Sequence, residues 1–479
     1  MTSSSNPGQE KEMEIMEGGA EMRQQACVVM VPSPFQGHVT PMLQLGHILH
    51  SKGFSIIIAH AQYKAPDPSN HPDFSFHSLA DGLDASNSIT GGRGLEMIYA
   101  MNENCRVPLQ EYLEEKGDVV SCIIYDNIMF FVDKVAELLN LPSLVLRPFS
   151  AAYLHVLLHC LENADTIFPL PDDTESGLQD PIPGLYPVRY QDLSKFMQLE
   201  EIRRFMLTTT NIRSSMAIIW NTVEDLEQTW LSRLQQGYKV PIFPLGPFHM
   251  IAPTSTTSLI EEDESCLAWL DKQAPQSILF VSTCGSIALI NESDVEEIAW
   301  GLVKSNQPFL WAVRPGSIDS SQGKERFLED FEKRSGNRGL VVKWAPQKKV
   351  LAHGSVGGFW SHCGWNSTLE SLGEGVPMIC RPHFADQLVN ARFLVHEWKV
   401  GLDLEKVERG IIAETIRRLM VGDERKELKK NAMKVKKKFD DCFERDGGSS
   451  FRALDELTDF IASLSLPNFV SEVRAGGDS

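Results

Sequence analysis

The stretch from Trp344 to Gln387 constrains this chain more than any other part of it. Within it, Gly357 to His362 predicts a short strand that leads into a turn, and Gly364 gives that turn conformational freedom. Apolar residues then recur at helical spacing, as Trp365, Leu369 and Leu372. The pattern therefore predicts a strand, a turn and a helix that begins inside the stretch.

Polar side chains cluster where this helix is predicted to begin. Asn366, Ser367 and Thr368 are residues of the kind that cap helix N-termini, and His362 stands just before the turn. The N-terminus of a helix presents free N–H groups and the positive end of the helix dipole. We therefore expect His362, Asn366 and Ser367 to surround a bound diphosphate.

The two ends of the stretch supply groups for the rest of a ligand. Trp344 offers a flat ring on which a base could stack, and Gln347 offers an amide for the edge of that base. Glu370 can accept two hydrogen bonds from a ribose diol. Asp386 and Gln387 follow a predicted strand, at the carboxyl end where open α/β sheets bind ligands. A base, a ribose, a diphosphate and one further polyol together describe a nucleotide sugar.

Each of these residues alone has an ordinary structural explanation. A Trp that opens a strand is usually part of the core, and His362 with Cys363 usually forms a buried pair. Asn366, Ser367 and Thr368 also fit a glycosylation sequon, which only a secreted chain would use. A zinc site is not expected, because His362 and Cys363 have no second pair of ligands. The spacing of the whole stretch carries the prediction.

The complete stretch resembles the donor-binding signature of the plant family-1 UDP-dependent glycosyltransferases. The likeness runs from its Trp-Ala-Pro-Gln opening through His-Cys-Gly-Trp-Asn-Ser to its closing Asp-Gln, and it continues from about Ala26 to Leu464. It implies an α/β fold of two facing Rossmann-like domains, the GT-B arrangement, and a sugar transferase of plant secondary metabolism. The residues that it implies in donor binding are Ser286, Trp344, Ala345, Gln347, His362, Gly364, Trp365, Asn366, Ser367, Glu370, Asp386 and Gln387.

The chain is long enough for two or three domains. We predict an N-terminal acceptor-binding domain at residues 25–245, a linker at 246–264 and a C-terminal UDP-sugar-binding domain at 265–450. A last helix is predicted at residues 451–466, and disordered tails are predicted at residues 1–24 and 467–479. The first domain opens with a strand at Cys27 to Pro32 and a helix at Thr40 to Leu49, with Pro41 near its N1 position. The resemblance implies that the last helix crosses back onto the first domain.

The overall charge and the cysteine content restrict the partners and the compartment. Asp and Glu number 64 against 45 Lys and Arg, a net charge of −19, which argues against nucleic acid as a partner. Residues 1–25 lack the apolar segment of a secretory signal, and no apolar run reaches the roughly 18 residues of a membrane helix. The 9 scattered cysteines favour a reducing compartment. We therefore expect a cytoplasmic monomer without stable membrane insertion.

A general base is predicted at the carboxyl ends of two strands in the first domain. His38 follows the first strand, and Asp126 ends a later strand that should be parallel to the first and near it. A carboxylate bonded to one imidazole nitrogen fixes the tautomer and leaves the other nitrogen free to accept a proton. The spacing alone also fits a structural histidine, whereas the resemblance implies that His38 and Asp126 form the catalytic dyad.

The resemblance implies a single displacement that inverts the sugar. His38 deprotonates the acceptor hydroxyl as it attacks the anomeric carbon of UDP-glucose, and UDP departs against the helix N-terminus. No metal cofactor is expected, because His362, Asn366, Ser367 and Ser286 can neutralise the diphosphate with N–H and O–H donors.

The last residue of the stretch bears on the sugar. In the resembling family a terminal Gln goes mostly with UDP-glucose, and a His there often goes with UDP-galactose. Gln387 therefore predicts UDP-glucose as the donor substrate, held with the help of Asp386. The indole N–H of Trp365 is expected to donate to the same region.

The acceptor pocket is expected among loops of the first domain, at about residues 80–105 and 147–205. An apolar cleft there would suit a small lipophilic alcohol, a phenol, a carboxylic acid, a terpenoid or its glycoside, or a hormone-like metabolite. Candidate contacts, each of which also fits the protein core, are Phe149, His155, Met197, Phe205 and Phe384.

Two departures from the family pattern keep an alternative open. Thr283 to Ser286 carries one extra residue in the diphosphate loop, and Pro148 stands where the family often has a Thr that touches the sugar. The alternative is a catalytically weak or idle nucleotide-sugar binder, against which the presence of both His38 and Asp126 counts. A dinucleotide oxidoreductase is rejected, because Ser33 to His38 contains one Gly where Gly-x-Gly-x-x-Gly is required.

Overall fold

The computed structural model of the chain contains two parallel sheets, covered by helices, that face each other across a cleft. It describes residues 26–83, 94–171, 175–193, 199–212, 214–252, 257–319, 331, 336–444 and 447–464. The architecture confirms the predicted pair of facing Rossmann-like domains.

Within the described residues, seven parallel strands build the first sheet. They are β1 (Cys27–Val31), β2 (Ser55–Ala61), β3 (Ser75–Leu79), β4 (Val120–Asp126), β5 (Ser143–Arg147), β6 (Ala217–Trp220) and β7 (Ile242–Pro244). The interior strand β1 is buried along its whole length, as expected for a parallel strand with helices on both faces. In the order β3-β2-β1-β4-β5-β6-β7, successive strands are added on one side of β1 as far as β3 and on its other side from β4 onward, so the strand order reverses between β1 and β4. Open α/β sheets bind ligands at the carboxyl side of such a reversal.

The second sheet has six strands in the part of the chain that the structure describes. They are β8 (Ile278–Ser282), β10 (Phe309–Ala312), β12 (Gly339–Val342), β13 (Val356–Ser361), β14 (Met378–Cys380) and β15 (Gly401–Asp403). A separate short pair is formed by β9 (Ile290–Asn291) and β11 (Ile318–Asp319). The order β12-β10-β8-β13-β14-β15 reverses between β8 and β13. The second sheet therefore also has a binding crevice, beside the carboxyl end of β13.

Helices cover the faces of both sheets. The α-helices are α1 (Gln36–Ser51), α2 (Gly94–Asn104), α3 (Arg106–Lys116), α4 (Phe131–Leu138), α5 (Ala151–Glu162), α6 (Ala164–Ile167), α7 (Glu175–Gln179), α8 (Glu200–Thr210), α9 (Glu224–Gly237), α10 (Phe248–Ile251), α11 (Ser265–Leu270), α12 (Glu292–Ser305), α13 (Gln347–Leu351), α14 (Trp365–Gly373), α15 (Asp386–Arg392), α16 (Arg409–Met420), α17 (Glu424–Cys442) and α18 (Ser449–Leu464). Short 3₁₀ turns occur at Pro68–Asn70, Gly117–Val119, Tyr190–Asp192 and Gly336–Arg338. Across the described ranges, no helix combines the length and the apolar character needed to cross a membrane.

The first helix begins earlier than the sequence predicts. Phe35 is the extended residue at its N-cap, so α1 starts at Gln36 rather than Thr40. His38 therefore lies in the first helical turn instead of a preceding loop, and Pro41 lies inside the helix rather than at N1.

This position of Pro41 frees a backbone carbonyl. A proline has no N–H, so Pro41 cannot donate to the carbonyl of Gly37, four residues earlier. That carbonyl accepts a hydrogen bond from Nδ2 of Asn366 in the second domain, at 3.0 Å. The irregularity in α1 thus provides a contact between the two domains beside His38.

The segment that follows Phe384 is not one regular α-helix. Ala385 has a φ of +53°, which is outside the helical region, and α15 begins only after it. The chain then continues from α15 into a π-helical turn over Phe393–Glu397.

The last helix packs on the first sheet. Leu457 and Ile461 of α18 are fully buried in the same apolar cluster as Phe243 of β7. The hydroxyl of Ser450 donates to the carbonyl of Gly246 at 2.8 Å, which fixes the start of this helix.

Candidate functional site

A cavity of about 920 Å³ lies between the carboxyl ends of the two sheets. Its walls contain every residue predicted to bind the donor, namely Ser286, Trp344, Ala345, Gln347, His362, Gly364, Trp365, Asn366, Ser367, Glu370, Asp386 and Gln387. His38 lines the same cavity from the first domain. The fold therefore brings the predicted base and the predicted donor residues into one space.

The adjacent strands β1 and β4 end at the same edge of the sheet and position the predicted dyad. Asp126 is the last residue of β4, and His38 lies in the first turn of α1, which follows β1. Nδ1 of His38 lies 2.8 Å from Oδ2 of Asp126, a carboxylate with no exposed surface. The other oxygen of Asp126 accepts from the backbone N–H of Ile128 at 3.1 Å. Because an ionised carboxylate can only accept, Nδ1 carries the hydrogen and Nε2 is left as the basic nitrogen.

Opposing effects set the basicity of His38. Burial by itself would lower the pKa, but the charge and the hydrogen bond of Asp126 outweigh it, and Asp386 adds to them. The pKa of His38 therefore lies above its ordinary value of 6.5. Its side chain keeps 26% of its surface exposed, so the imidazole is accessible from the cavity.

The N-terminus of α14, where a diphosphate is predicted to bind, borders the cavity. The N-cap is Gly364, in an extended conformation, and no side chain caps the helix there. The predicted capping role of Asn366, Ser367 and Thr368 is therefore wrong, because the helix begins one residue before them. The consequence favours a ligand, since a helix start without a side-chain cap keeps N–H groups for an anion.

Two glycines make room for His362 beside this helix start. A Cβ atom at Gly285 would lie 2.5 Å from Nε2 of His362, and one at Gly364 would lie 2.6 Å from it. Gly285 also has a φ of +52°, which favours glycine. Burial, followed by the nearby His383, lowers the pKa of His362 to about 4, so its imidazole is neutral at pH 7.

Gln347 and Glu370, which are predicted to meet the nucleoside, are bonded to each other, and Gln347 is also bonded to Ser367, which is predicted to meet the diphosphate. Nε2 of Gln347 donates to Oγ of Ser367 at 2.8 Å and to Oε2 of Glu370 at 2.7 Å. Both hydrogens of the amide are used, so only its carbonyl remains for a base edge. Burial raises the pKa of Glu370 to about 7, against the opposing effect of the Gln347 bond.

Trp365 does not have the predicted role. Its indole Nε1 donates to the backbone carbonyl of Asn221 in the first domain at 2.8 Å, and its side chain is buried. The N–H is therefore engaged between the domains and cannot donate to a sugar. The ring of Trp365 lines the cavity, and its N–H links the second domain to the first.

The sugar end of the predicted donor site is preorganised. Oε1 of Gln387 accepts from the backbone N–H of His383 at 3.0 Å, which leaves its Nε2 group to donate. Oδ2 of Asp386 accepts from Nδ2 of Asn390 at 2.9 Å. Burial raises the pKa of Asp386 to about 6, although Asn390 and His38 oppose the shift.

Side chains hold the backbone of the loop from Thr283 to Ser286, where one extra residue is predicted. Nε2 of His383 bonds to the carbonyl of Thr283 at 2.7 Å. Arg314 donates to the carbonyls of Gly285 and Ala288, at 3.2 and 2.9 Å. With the loop held in this way, Ser286 lines the cavity.

The acceptor predictions have mixed outcomes. Phe149, Phe205 and Phe384 line the cavity, as does Pro148. His155 lies outside its walls and packs against Trp230, with ring centroids 4.8 Å apart. Met197 lies outside the described residues.

Part of this wall is not predicted from the sequence. Tyr153, Val156 and Leu157 of α5 face the cavity, together with Ile202 and Met206 of α8. The first three recur at i, i+3 and i+4, a helical spacing that could have identified them. His155 is two residues, or about 200°, around the helix from Tyr153 and therefore points away.

Among the described residues, no group of three or more His, Cys, Asp or Glu side chains is arranged to hold a metal ion. All nine cysteines are described, and all are buried free thiols.

The chain is similar to known proteins over almost its whole length. A family model described as UDP-glucoronosyl and UDP-glucosyl transferase matches residues 216–442. UDP-glycosyltransferase 76E1 of Solanum lycopersicum is 51% identical over 453 residues, which cover 93% of this chain and 94% of that protein. Flavonol 3-O-glucosyltransferase UGT76E12 of Arabidopsis thaliana is 40% identical over 93% of this chain and 99% of its own length.

Solved structures share the fold. The structure of Phytolacca americana UGT2, complexed with UDP-2fluoro-glucose and pterostilbene, matches with a TM-score of 0.76 and 28% identity. The match covers 91% of this chain and 99% of that one.

Proposed function

Because this chain belongs to the plant family-1 UDP-glycosyltransferases, we propose that it transfers glucose from UDP-glucose to a small lipophilic metabolite with inversion at the anomeric carbon. The observation that carries the proposal is the His38–Asp126 pair, 2.8 Å apart, on the wall of the cavity that also contains Asp386 and Gln387. A nucleotide-sugar binder without activity would have no need of a base in that position.

The proposed reaction is one displacement. Nε2 of His38 takes the proton of the acceptor hydroxyl while the hydroxyl oxygen bonds to the anomeric carbon. The bond from that carbon to the β-phosphate oxygen breaks, and its electron pair leaves with UDP. The Asp126 carboxylate stabilises the imidazolium that forms and keeps Nδ1 protonated.

The leaving group would be stabilised by the protein alone. The uncapped start of α14 presents N–H groups, and the neutral imidazole of His362 and the hydroxyl of Ser286 lie on the same side of the cavity. Donors fixed in advance stabilise negative charge as it develops on the diphosphate. We therefore propose that transfer needs no metal ion.

A phenolic or alcoholic acceptor agrees best with the apolar wall formed by α5 and α8. A relative is named for a flavonol, and a related structure contains pterostilbene. A carboxylic acid acceptor is also compatible with the displacement, because a carboxylate is itself a nucleophile. The buried free thiols fit a reducing compartment, and we place the reaction in the cytoplasm.

The test is a transfer assay with excess chelator. The protein is incubated with UDP-glucose and UDP-galactose in competition and with a panel of phenols, alcohols and carboxylic acids. Products are detected by mass, and the anomeric configuration is read by NMR. We expect β-glucosides from the α-linked donor at an undiminished rate in chelator. UDP binding without any transfer across the panel would favour the idle binder, and an α-product would reject inversion.

A further inference from the structure

The amide of Asn390 joins three segments of the site. Asn390 lies in α15 and is 1% exposed. Its Nδ2 group donates to Oδ2 of Asp386 at 2.9 Å and to the backbone carbonyl of Cys363 at 3.0 Å. Its Oδ1 accepts from the hydroxyl of Ser150 in the first domain, at 2.9 Å. One buried side chain therefore uses all its hydrogen-bonding groups on the cavity's framework.

The network fixes the direction of every bond. A reversed amide would turn Oδ1 of Asn390 toward a carboxylate and a carbonyl, which can only accept. Oγ of Ser150 already accepts from the backbone N–H of Tyr153 at 3.1 Å, so its own hydrogen is free to go to Asn390. The arrangement has a single consistent orientation.

Each of the three segments has a part in the site. Asp386 is at the proposed sugar position. Cys363, with a φ of +63°, sets the turn before Gly364, where the diphosphate helix begins. Ser150 is the N-cap of α5, which carries Tyr153 and other residues of the acceptor wall. Asn390 thus connects sugar, diphosphate and acceptor positions without lining the cavity itself.

We propose that Asn390 is a positioning residue for transfer. It orients the Asp386 carboxylate toward the donor sugar and, through Ser150, fixes the position of the acceptor wall relative to that carboxylate. The proposal rests on the proposed function. Hydrogen bonds to charged groups contribute more to stability than neutral ones, and the burial of this network strengthens them.

The main test is Asn390→Leu, which keeps the size and removes all three bonds. We expect kcat/KM for UDP-glucose to fall roughly 10- to 100-fold, the range for a lost bond to a charged group. Burial raises the pKa of Asp386, Asn390 and His38 oppose that rise, and Tyr153 also faces this carboxylate. Loss of the amide should raise that pKa, so the acid limb of the pH profile of UDP-glucose binding should move to higher pH. A residue that only supported the fold would not move that limb.

Ser150 tests the link between the domains. Ser150→Ala removes the bond to Asn390 and the N-cap bond from the N–H of Tyr153, and it should lower kcat/KM by about fivefold, whereas Ser150→Thr, which keeps a hydroxyl, should restore it. The double variant Ser150→Ala/Asn390→Leu should lose less than the two single losses combined, because both substitutions remove the bond between Ser150 and Asn390. Ser305→Ala is the matched control, since this buried serine bonds to the carbonyl of Leu302 at 2.7 Å in α12, and it should behave as wild type.

The outcomes separate this proposal from the proposed function. If Asn390→Leu is folded, keeps kcat/KM within twofold and leaves the acid limb in place, the positioning role is wrong. If that variant does not fold, wild-type kinetics in Ser150→Ala overturn the link. Calorimetry of UDP and UDP-glucose needs no acceptor, so it measures the role of Asn390 even if wild type transfers to nothing. In that last case the proposed function fails by itself.

Discussion

The two walls of the cavity are built in different ways. On the proposed donor wall, which is formed by Ser286 and by cavity residues between Trp344 and Gln387, polar side chains are held by hydrogen bonds within the protein, as Glu370 is by Gln347 and Asp386 is by Asn390 behind the wall. On the acceptor wall, α5 and α8 contribute mainly apolar groups such as Leu157, Phe205 and Met206. The first wall has fixed hydrogen-bonding directions, whereas the second offers shape and apolar area.

This difference predicts different kinds of selectivity. A site built to bond polar groups rejects a ligand that leaves those groups unpaired, whereas an apolar pocket discriminates weakly between related shapes. We therefore expect a strict donor and a range of acceptors. The base His38 lies between the two walls, and its loss should affect transfer with every acceptor.

The largest expected effect is that of His38→Ala. Loss of a general base costs about 10²- to 10⁴-fold in rate, and UDP binding should change little because the donor wall remains intact. The measurements are kcat with a competent acceptor and calorimetry with UDP. Turnover within a few-fold of wild type would show that the acceptor ionises without this base.

The partner variant Asp126→Asn serves as its control. It keeps the shape but removes the charge that raises the pKa of His38. His38 must be neutral to accept a proton, so wild-type activity should rise as the pH increases through a value above 6.5. In Asp126→Asn that rise should move to lower pH while the maximal rate falls. An unmoved profile would remove Asp126 from the mechanism.

On the donor wall, Gln387→Ala should cost about 1–3 kcal/mol of transition-state binding, the penalty for leaving polar partners unpaired. Competition between UDP-glucose and UDP-galactose, in wild type and in Gln387→His, shows whether this position selects the sugar. If wild type prefers galactose, or if Gln387→Ala is silent, the sugar is recognised elsewhere, and Pro148 with Phe149 is the next region to test.

At Glu370, the proposed ribose position, we expect UDP affinity to change by about tenfold with pH. Burial raises the pKa of Glu370 to about 7, and only its ionised form accepts two hydroxyl hydrogen bonds. UDP affinity should therefore be full above pH 7 and should decline as the pH falls through that value, by about the tenfold worth of a charged hydrogen bond. Calorimetry of Glu370→Gln, which cannot titrate, should show weaker binding with a flatter pH dependence. An equally steep dependence in that variant would assign the titration to another group.

The donor wall could be predicted from the sequence because it is contiguous. Apart from Ser286, its residues lie in the one stretch from Trp344 to Gln387, and the strand, turn and helix at the centre of that stretch, β13 to α14, could be predicted from local spacing. The dyad needed one further step, namely that the carboxyl ends of parallel strands share an edge. His38 and Asp126 could be paired in that way although 88 positions separate them.

Contacts between the domains could not be read from spacing. Nothing local in the sequence shows that the indole of Trp365 would be taken by the carbonyl of Asn221, or the amide of Asn366 by that of Gly37. Both depend on how two separately folded sheets meet. The sequence predicts a helix that starts at Thr40, whereas α1 starts at Gln36. The free carbonyl of Gly37, which results from Pro41 inside the helix, therefore could not be predicted.

The smallest effect is expected at the acceptor wall, where the sequence predicts the same role for two residues. Phe205 and His155 are both predicted to contact the acceptor. Of the two, only Phe205 lies on the cavity wall, whereas His155 packs against Trp230 outside the cavity. Phe205 is partly exposed, so its truncation should remove only part of the roughly 1.5–3 kcal/mol that a fully buried side chain provides. Phe205→Ala should therefore raise the acceptor KM by about fivefold and leave UDP affinity unchanged, and the effect should vary between acceptors of different shape. His155→Ala, the matched control, should leave both constants as in wild type. An acceptor KM that responds to His155→Ala and not to Phe205→Ala would place the acceptor on the other side of α5, and the apolar wall would then lose its assigned role.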